Sequence, residues 1–212
     1  MTELTIAIPR GRLERDALEL FIAAGMRLNG DSESRRLTAE DESGRGRFIF
    51  VKPTDVPVYV EHGIADCGVV GRDVLLECEA DLLQPLNLEI GCCRIAVAAQ
   101  SELLNDKGHS ALRVATKYPR IAARYFSARG QPAEVIQLSG SVELAPVLGL
   151  ADCIVDLVET GRTLRENGLS IVEVIADSAA QLVVNRASYQ LKAKAIGNLI
   201  SALKEVLVTT KP

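Results

Sequence analysis

Short apolar runs alternate with segments of helical period along nearly the whole chain, and that alternation leaves few architectures open. Leu4–Pro9, Phe48–Val51, Cys67–Val70, Arg94–Ala99, Leu112–Ala115, Val135–Leu138 and a run starting at Cys153 read as strands. Helical patterns lie between them: Leu13–Ala24, a segment begun by Thr54-Asp55 with Pro57 in its first turn, another opened by Asp73, then Tyr118–Arg129 and Val142–Leu148. Strands separated by single helices pack as an α/β protein with largely parallel sheets. Asn29–Gly46, rich in glycine, serine and charge, reads as a loop or an exposed hairpin. Leu191, Ala195, Leu199, Leu203 and Leu207 recur at helical spacing, so an amphipathic helix packed on something is expected near the end. A chain of 212 residues suffices for one large domain or two small ones. No hinge, low-complexity stretch or repeat stands out, and the polar segment Ser101–Ser110 does not read as a linker. Two domains stay open, because a chain can cross between sheets on extended strands.

Composition removes several functions. A formal net charge of −4 argues against a nucleic-acid binder, which carries a basic surplus. No apolar stretch is long enough to span a bilayer, and the N-terminus Met1-Thr2-Glu3-Leu4 lacks the features of a signal peptide, so the expected compartment is the cytoplasm. The cysteines, Cys67, Cys78, Cys92, Cys93 and Cys153, are odd in number, sit mostly in apolar runs and show no CxxC spacing, which predicts buried free thiols. His62 and His109 lack metal-ligand spacing, and His109 reads as solvated.

The chemistry concentrates in Cys153–Leu164, C-I-V-D-L-V-E-T-G-R-T-L. An apolar strand ends in Asp156 and Glu159, and Thr160-Gly161-Arg162-Thr163 turns into a brief helix closed by Asn167-Gly168. Amides and hydroxyls of such a turn cradle a phosphate. Carboxylates beside an anion are counterproductive unless the ligand also offers hydroxyls or a metal, and a sugar phosphate offers both. The bland alternative is an ordinary strand–loop–helix. Upstream, Arg10 and Arg12 flank Gly11 at the end of the first strand, Lys52 ends the next, and Arg35-Arg36 lies in the polar segment. Singly, each is a solvated surface charge; cations sharing strand ends point to a polyanionic ligand. Gly68 to Asp73, including Gly71, reads as punctuation between elements or as the lining of a pocket, with Asp73 able to cap a helix. Ser139-Gly140-Ser141 can N-cap the following helix through either serine, or present amides to a ligand.

Glu143–Leu164, E-L-A-P-V-L-G-L-A-D-C-I-V-D-L-V-E-T-G-R-T-L, resembles the signature of the ATP phosphoribosyltransferase family, matching at Glu143, Gly149, Ala151, Ile154, Asp156, Leu157, Thr160, Gly161, Thr163 and Leu164. The resemblance extends through I-P-R-G-R-L at Ile8–Leu13, K-P-T-D-V-P at Lys52–Pro57, the block from His62 to Val74, A-T-K-Y at Ala115–Tyr118 and L-S-G-S-V-E-L-A-P at Leu138–Pro146. It implies a two-lobed fold like that of type II periplasmic binding proteins, with the active site in the interlobe cleft. One lobe would comprise residues 1–93 plus 178–212, and residues 94–177 would form the other and carry the phosphoribosyl-phosphate loop. The chain resembles the short form, without a C-terminal regulatory domain, a catalytic subunit that joins a histidyl-tRNA-synthetase-like partner in a hetero-octamer and is itself expected to dimerise.

The implied reaction transfers the 5-phosphoribosyl group of phosphoribosyl pyrophosphate to adenine N1 of ATP, expelling pyrophosphate with Mg²⁺, as the first step of histidine biosynthesis. Thr160, Gly161, Arg162, Thr163 and Leu164 would seat the 5-phosphate, and Asp156 and Glu159 the ribose hydroxyls. Arg10, Arg12, Arg35 and Lys52 would meet the pyrophosphate and ATP phosphates, with Arg35 stabilising the leaving group. Gly68, Gly71 and Asp73 would line the nucleotide site. The competing classes are a non-catalytic solute-binding or regulatory module on the same fold, and another phosphoribosyltransferase.

Overall fold

A computed structural model describes residues 3–27, 37–100 and 111–209. Arg35, Arg36, His109 and the segment Ser101–Ser110 lie outside them. The chain divides into two compact units, Met1–Gly91 with Ala179–Pro212, and Cys92–Ser178.

The first unit holds β1 (Leu4–Pro9), α1 (Glu14–Ala23), β2 (Thr38–Glu40), β3 (Gly46–Val51), α2 (Val56–Glu61), β4 (Cys67–Gly71), α3 (Arg72–Cys78) and β5 (Leu83–Asn87). The second holds β6 (Cys93–Ala99), β7 (Leu112–Thr116), α4 (Pro119–Ala128), β8 (Ala133–Gln137), α5 (Leu144–Val147), β9 (Cys153–Val158), α6 (Arg162–Glu166) and β10 (Ser170–Ser178). The chain then re-enters the first unit as β11 (Ala180–Val184), α7 (Arg186–Leu191) and α8 (Ala193–Thr209).

Both sheets are mixed, which corrects the expectation of largely parallel ones. The first has order β2-β3-β1-β4-β11-β5 and the second β10-β6-β9-β7-β8. β1, β3 and β4 are parallel, as are β7, β8 and β9. Antiparallel strands extend each trio: β11 then β5 in the first unit, β6 then β10 in the second. They arise where the chain crosses between units on extended segments, with Ala179 alone separating β10 from β11. Pro85 fits β5 because β5 is an edge strand, where a missing N–H disrupts no ladder.

The two units share one topology, β1-α1-β3-α2-β4 against β7-α4-β8-α5-β9, and a sequence echo that contradicts the absence of a repeat. Gly63-Ile64-Ala65-Asp66-Cys67 and Gly149-Leu150-Ala151-Asp152-Cys153 precede equivalent strands. Both glycines are left-handed, at φ +70° and +72°. Both aspartates are buried and bracket the second residue of the central strand. The Asp66 N–H donates to the Thr5 carbonyl at 2.8 Å and its Oδ2 accepts the Thr5 N–H at 2.8 Å. Asp152 repeats this with the Arg113 backbone, also at 2.8 Å in both directions. Each carboxylate then takes a cation: Lys192 Nζ reaches Asp66 Oδ2 at 2.8 Å, and Arg113 Nη2 reaches Asp152 Oδ1 at 2.9 Å. Burial, with the neighbouring Asp66 charge, pushes the Cys67 thiol up to about 12, so it stays protonated. Cys93 and Cys153 are also buried, whereas Cys78 and Cys92 are exposed, and none of the five is in a disulfide.

Strand alternation divides the first core between two sheet faces. Ile6, Ile8, Phe48 and Leu182 pack with Phe21 of α1 and Ile196, Leu199 and Leu203 of α8, and Ala7, Val70 and Val183 face Val56 and Val60 of α2. Leu191 falls outside the expected C-terminal stripe: it closes α7, 84% exposed, before α8 begins at Ala193. In the second unit Ala96, Ala98 and Ala115 cluster with Ile154 and Val158 of β9, Ala145 of α5 and Leu164 of α6. The described part of Asn29–Gly46 is indeed half of a hairpin, β2 on β3.

Edge strand β10 is clamped to α4. Tyr125 Oη donates to Glu173 Oε2 at 2.5 Å, and Arg129 pairs with the same carboxylate while lying 3.8 Å over the Tyr125 ring. Burial, then the Glu173 contact, pushes the phenol up to about 12. Its contribution to stability is therefore full below the ordinary tyrosine value of about 10 and lost as pH rises through about 12. In a difference absorbance titration against Tyr125→Phe, the Tyr125 phenolate should form near pH 12; formation near pH 10 would contradict the clamp. Asp66→Ala and Asp152→Ala should each cost about 3 kcal/mol in urea unfolding, because buried donors and a cation lose their acceptor. A cost below about 1 kcal/mol for both would show that the brackets do not hold the units.

Candidate active site

Beyond the brackets the central strands soon part. β1 pairs with β4 at Ile6↔Cys67 and Ala7↔Gly68 only, yet β1 follows β3 to Pro9 and β4 follows β11 to Gly71. β7 and β9 pair from Val114↔Cys153 to Thr116↔Val155, and β9 then continues along β6 to Val158. In each unit one parted strand leads to the neighbour on one side and the other to the opposite side. Such switch points, at strand carboxyl ends, are where α/β sheets bind ligands.

At the first switch point, Arg10 leaves β1 with its N–H bonded to the Val51 carbonyl at 2.8 Å, and Gly11 turns the chain at φ +98°. The Arg10 guanidinium sits 4.5 Å over the Phe50 ring and meets Glu14 Oε1 at 2.7 Å. Arg12 is exposed on the same turn, and Lys52 is exposed at the end of neighbouring β3. Gly71 ends β4 as the N-cap of α3, so Asp73 lies in the first turn and is not the cap. A Cβ on Gly71 would fall 2.2 Å from Asp73 Oδ1: the buried carboxylate folds back over the glycine. Gly68 differs from these. Inside β4, its Cβ would meet Val56 Cγ1 at 2.8 Å and the Ala7 carbonyl at 3.0 Å, so close helix packing accounts for this glycine.

At the second switch point, Asp156 shares a face of β9 with Ile154 and Val158, buried opposite Ala96, and its Oδ1 accepts the Leu157 N–H at 2.8 Å. Glu159 and Thr160 are exposed just beyond the strand. Gly161, at φ +70°, N-caps α6. Arg165 Nη1 braces the turn by donating to the Thr160 carbonyl at 3.1 Å. Arg162 and Thr163 are exposed on the first turn of α6, whereas the Leu164 side chain is core, leaving its backbone as the part able to meet a ligand. Ser139, Gly140 and Ser141 are exposed at the carboxyl end of parallel β8. Neither serine caps the helix: α5 starts after Glu143 without a side-chain cap, and the Leu144 N–H donates to the Ser141 carbonyl at 3.1 Å.

Each unit thus gathers its expected residues at one sheet edge: Arg10, Arg12, Lys52, Gly71 and Asp73 in the first, Ser139–Ser141 and Asp156–Leu164 in the second. Arg35 lies outside the described residues. Sequence reasoning missed Glu14, whose signal is its position four residues after Arg10 in a helical first turn. It also missed Thr116, whose buried hydroxyl donates to the Val155 carbonyl at 2.6 Å and accepts the Tyr118 N–H at 2.8 Å where β7 leaves β9. A cavity of about 440 Å³ lies elsewhere, at the amino end of β1, with a largely apolar wall that includes Leu4, Ala24, Met26 and Leu199 beside Arg45 and Lys194.

The second unit sets paired carboxylates beside a hydroxyl- and glycine-rich turn, and the first sets arginine and lysine at its strand ends, groups suited to hydroxyls and phosphates on an α/β fold. The HisG family model, described as ATP phosphoribosyltransferase, matches residues 52–205. ATP phosphoribosyltransferases of Syntrophotalea carbinolica and Caldanaerobacter subterraneus are 50% and 48% identical, over 96% and 98% of this chain and 95% and 99% of their own. The chain belongs to the ATP phosphoribosyltransferase family, glycosyltransferases of the first step of histidine biosynthesis. A solved structure, the ATP phosphoribosyl transferase (HisG:HisZ) complex from Thermotoga maritima, matches with a TM-score of 0.87 and 37% identity over 99% of this chain and 100% of that one. The periplasmic aliphatic sulphonate binding protein SsuA from Escherichia coli matches at 0.62 and 11% identity over 98% of this chain and 69% of that one, a likeness of fold.

Gly161→Ala and Gly168→Ala test the turn together, since both glycines have φ +70°. Each should lose about 1–2 kcal/mol of stability from left-handed strain. Only Gly161→Ala should also lower kcat/KM, by about tenfold or more; equal kinetics in the two variants would remove the turn from the site.

Proposed function

We propose that this chain transfers the 5-phosphoribosyl group of phosphoribosyl pyrophosphate to N1 of the ATP adenine, with the ribose phosphate held by the second unit. The observation that carries the reading is β9: one strand end delivers a buried carboxylate, an exposed one and a glycine-capped turn in succession. The amides and hydroxyls of Thr160–Leu164, with those of Ser139–Ser141, would meet the 5-phosphate and its sugar. Asp156 and Glu159 would accept hydrogen bonds from the ribose hydroxyls and favour the positive charge that develops on the ring as the pyrophosphate bond breaks. Adenine N1 already has a free lone pair, so alignment with the anomeric carbon, not proton removal, is what the protein must supply.

Arg10, Arg12, Arg35 and Lys52 would face the pyrophosphate and ATP phosphates, with Arg35 steadying the leaving group. Gly71 and Asp73 would line the nucleotide site. Mg²⁺ enters as part of the substrate, on pyrophosphate oxygens, and supplies charge neutralisation there. Among the described residues no group of three or more His, Cys, Asp or Glu could hold a metal ion. The lobes of the reading are residues 1–93 with 178–212, and 94–177. The reading also includes homodimers that join a histidyl-tRNA-synthetase-like regulatory partner in a hetero-octamer, on the example of the HisG:HisZ complex. It places the enzyme in the cytoplasm; among the described residues no helix is long and apolar enough to cross a membrane.

An absorbance assay with ATP, phosphoribosyl pyrophosphate and Mg²⁺, with and without the partner, tests the reaction. Asp156→Asn combined with Glu159→Gln should lower kcat/KM by about 100-fold or more, close to 3 kcal/mol of transition-state stabilisation. A change of only a few fold would end the ribose-contact role.

A further inference from the structure

We infer that Glu14 is a positioning residue for the substrate-binding cations, fixing the direction of Arg10 and the shape of its turn; this rests on the proposed function. The Glu14 carboxylate spans the turn between β1 and α1. Its Oε1 accepts from Arg10 Nη1 at 2.7 Å, and its Oε2 accepts the Gly11 N–H at 3.2 Å. On another side, the Phe50 ring lies 4.5 Å below the guanidinium carbon, and the Arg10 backbone is tied to Val51 at 2.8 Å. The pair is not loosely solvated: the side chains are 31% and 19% exposed.

Helix capping alone does not account for this arrangement. The N-cap, Leu13, offers no side-chain acceptor, and one Glu14 oxygen on the Gly11 amide would serve that end. The second oxygen is spent on a cation that the reaction needs for a polyanion, and a carboxylate near phosphates costs affinity. That placement makes sense when the gain is geometry. A guanidinium presents its donors in a rigid planar fork, so a carboxylate on Nη1 and a ring on its face together set where the fork points. Gly11, at φ +98°, has many backbone states without such a hold, and the bond from its amide ties that freedom to the same carboxylate.

The test is a double-mutant cycle on the full chain with its partner, reading kcat and KM for each substrate and Tm. Arg10→Ala alone identifies which substrate's kcat/KM depends on Arg10. For that substrate Glu14→Ala should lower kcat/KM about tenfold, with a Tm change of about 3 °C or less. Adding Glu14→Ala to Arg10→Ala should bring no further loss. Glu14→Gln, which keeps an acceptor, should recover part of the activity, and Glu14→Asp, one methylene shorter, should not; Glu14→Gln carries the same cycle if the alanine variant folds poorly. Losses that multiply independently, or a lower Tm with wild-type kinetics, would overturn the positioning role. An Arg10→Ala variant with unchanged kinetics would overturn it differently, by removing Arg10 from the site, and the Asp156 and Glu159 variants separate that outcome from failure of the whole functional reading.

Discussion

The buried aspartate that precedes the third parallel strand of each unit is the interaction on which the rest depends. Asp66 and Asp152 each tie the amino end of a central strand to its neighbour with a reciprocal pair of bonds, one donated by the aspartate amide and one accepted by its carboxylate. Pairing is held at the amino ends and stops after two or three residue pairs, and the carboxyl ends part at the kind of switch point where α/β sheets bind ligands. The charge that makes the bracket strong also makes it demanding. Asp66 is satisfied by Ser188 of α7 and by Lys192 just after it, so the C-terminal segment completes the first unit, whereas Asp152 finds its cation in the strand it holds. One device, used twice, is completed by different parts of the chain.

From these frames the chemistry follows by charge. The second unit places two acids next to an anion turn, an arrangement stable with a ligand that presents hydroxyls and phosphate together. The first places Arg10, Arg12 and Lys52 at strand ends, where they would suit a ligand that is anionic throughout. A sugar diphosphate and a nucleoside triphosphate supply that combination, and membership of the ATP phosphoribosyltransferase family names them. Rigidity matters as much as charge: Arg165 braces the Thr160 carbonyl, Thr116 closes the β7–β9 fork, and Glu14 with Phe50 grips Arg10.

Much of this was legible because it is local. The strands from Leu4, Phe48, Cys67 and Cys153 are apolar runs with clear stops, and Asp156 to Thr163 is contiguous, so its order on a strand, turn and helix could be read directly. What escaped depends on contacts between distant segments. β5 was hidden by Pro85, tolerable only at a sheet edge, and β10 by Val172 and Val174, which are 50% and 40% exposed on a bulged edge strand. The echo of G-I-A-D-C in G-L-A-D-C was passed over because five residues carry little periodic signal until both are seen to bracket a strand. Gly68 looked like a ligand-approach glycine, but Val56 and Ala7, residues on other elements, dictate it. Glu14 gave no signal beyond an ordinary helical ion pair until the direction of Arg10 was known.

The strand-end turn after β9 is the proposed seat of the phosphoribosyl donor. Amide hydrogen exchange, followed with and without phosphoribosyl pyrophosphate and Mg²⁺, tests it without depending on turnover. Slowed exchange is expected at the amides of Thr160–Leu164, with the β7–β9 ladder unchanged. Donor binding that leaves Thr160–Leu164 exchanging at the free rate, while other amides become protected, would contradict it.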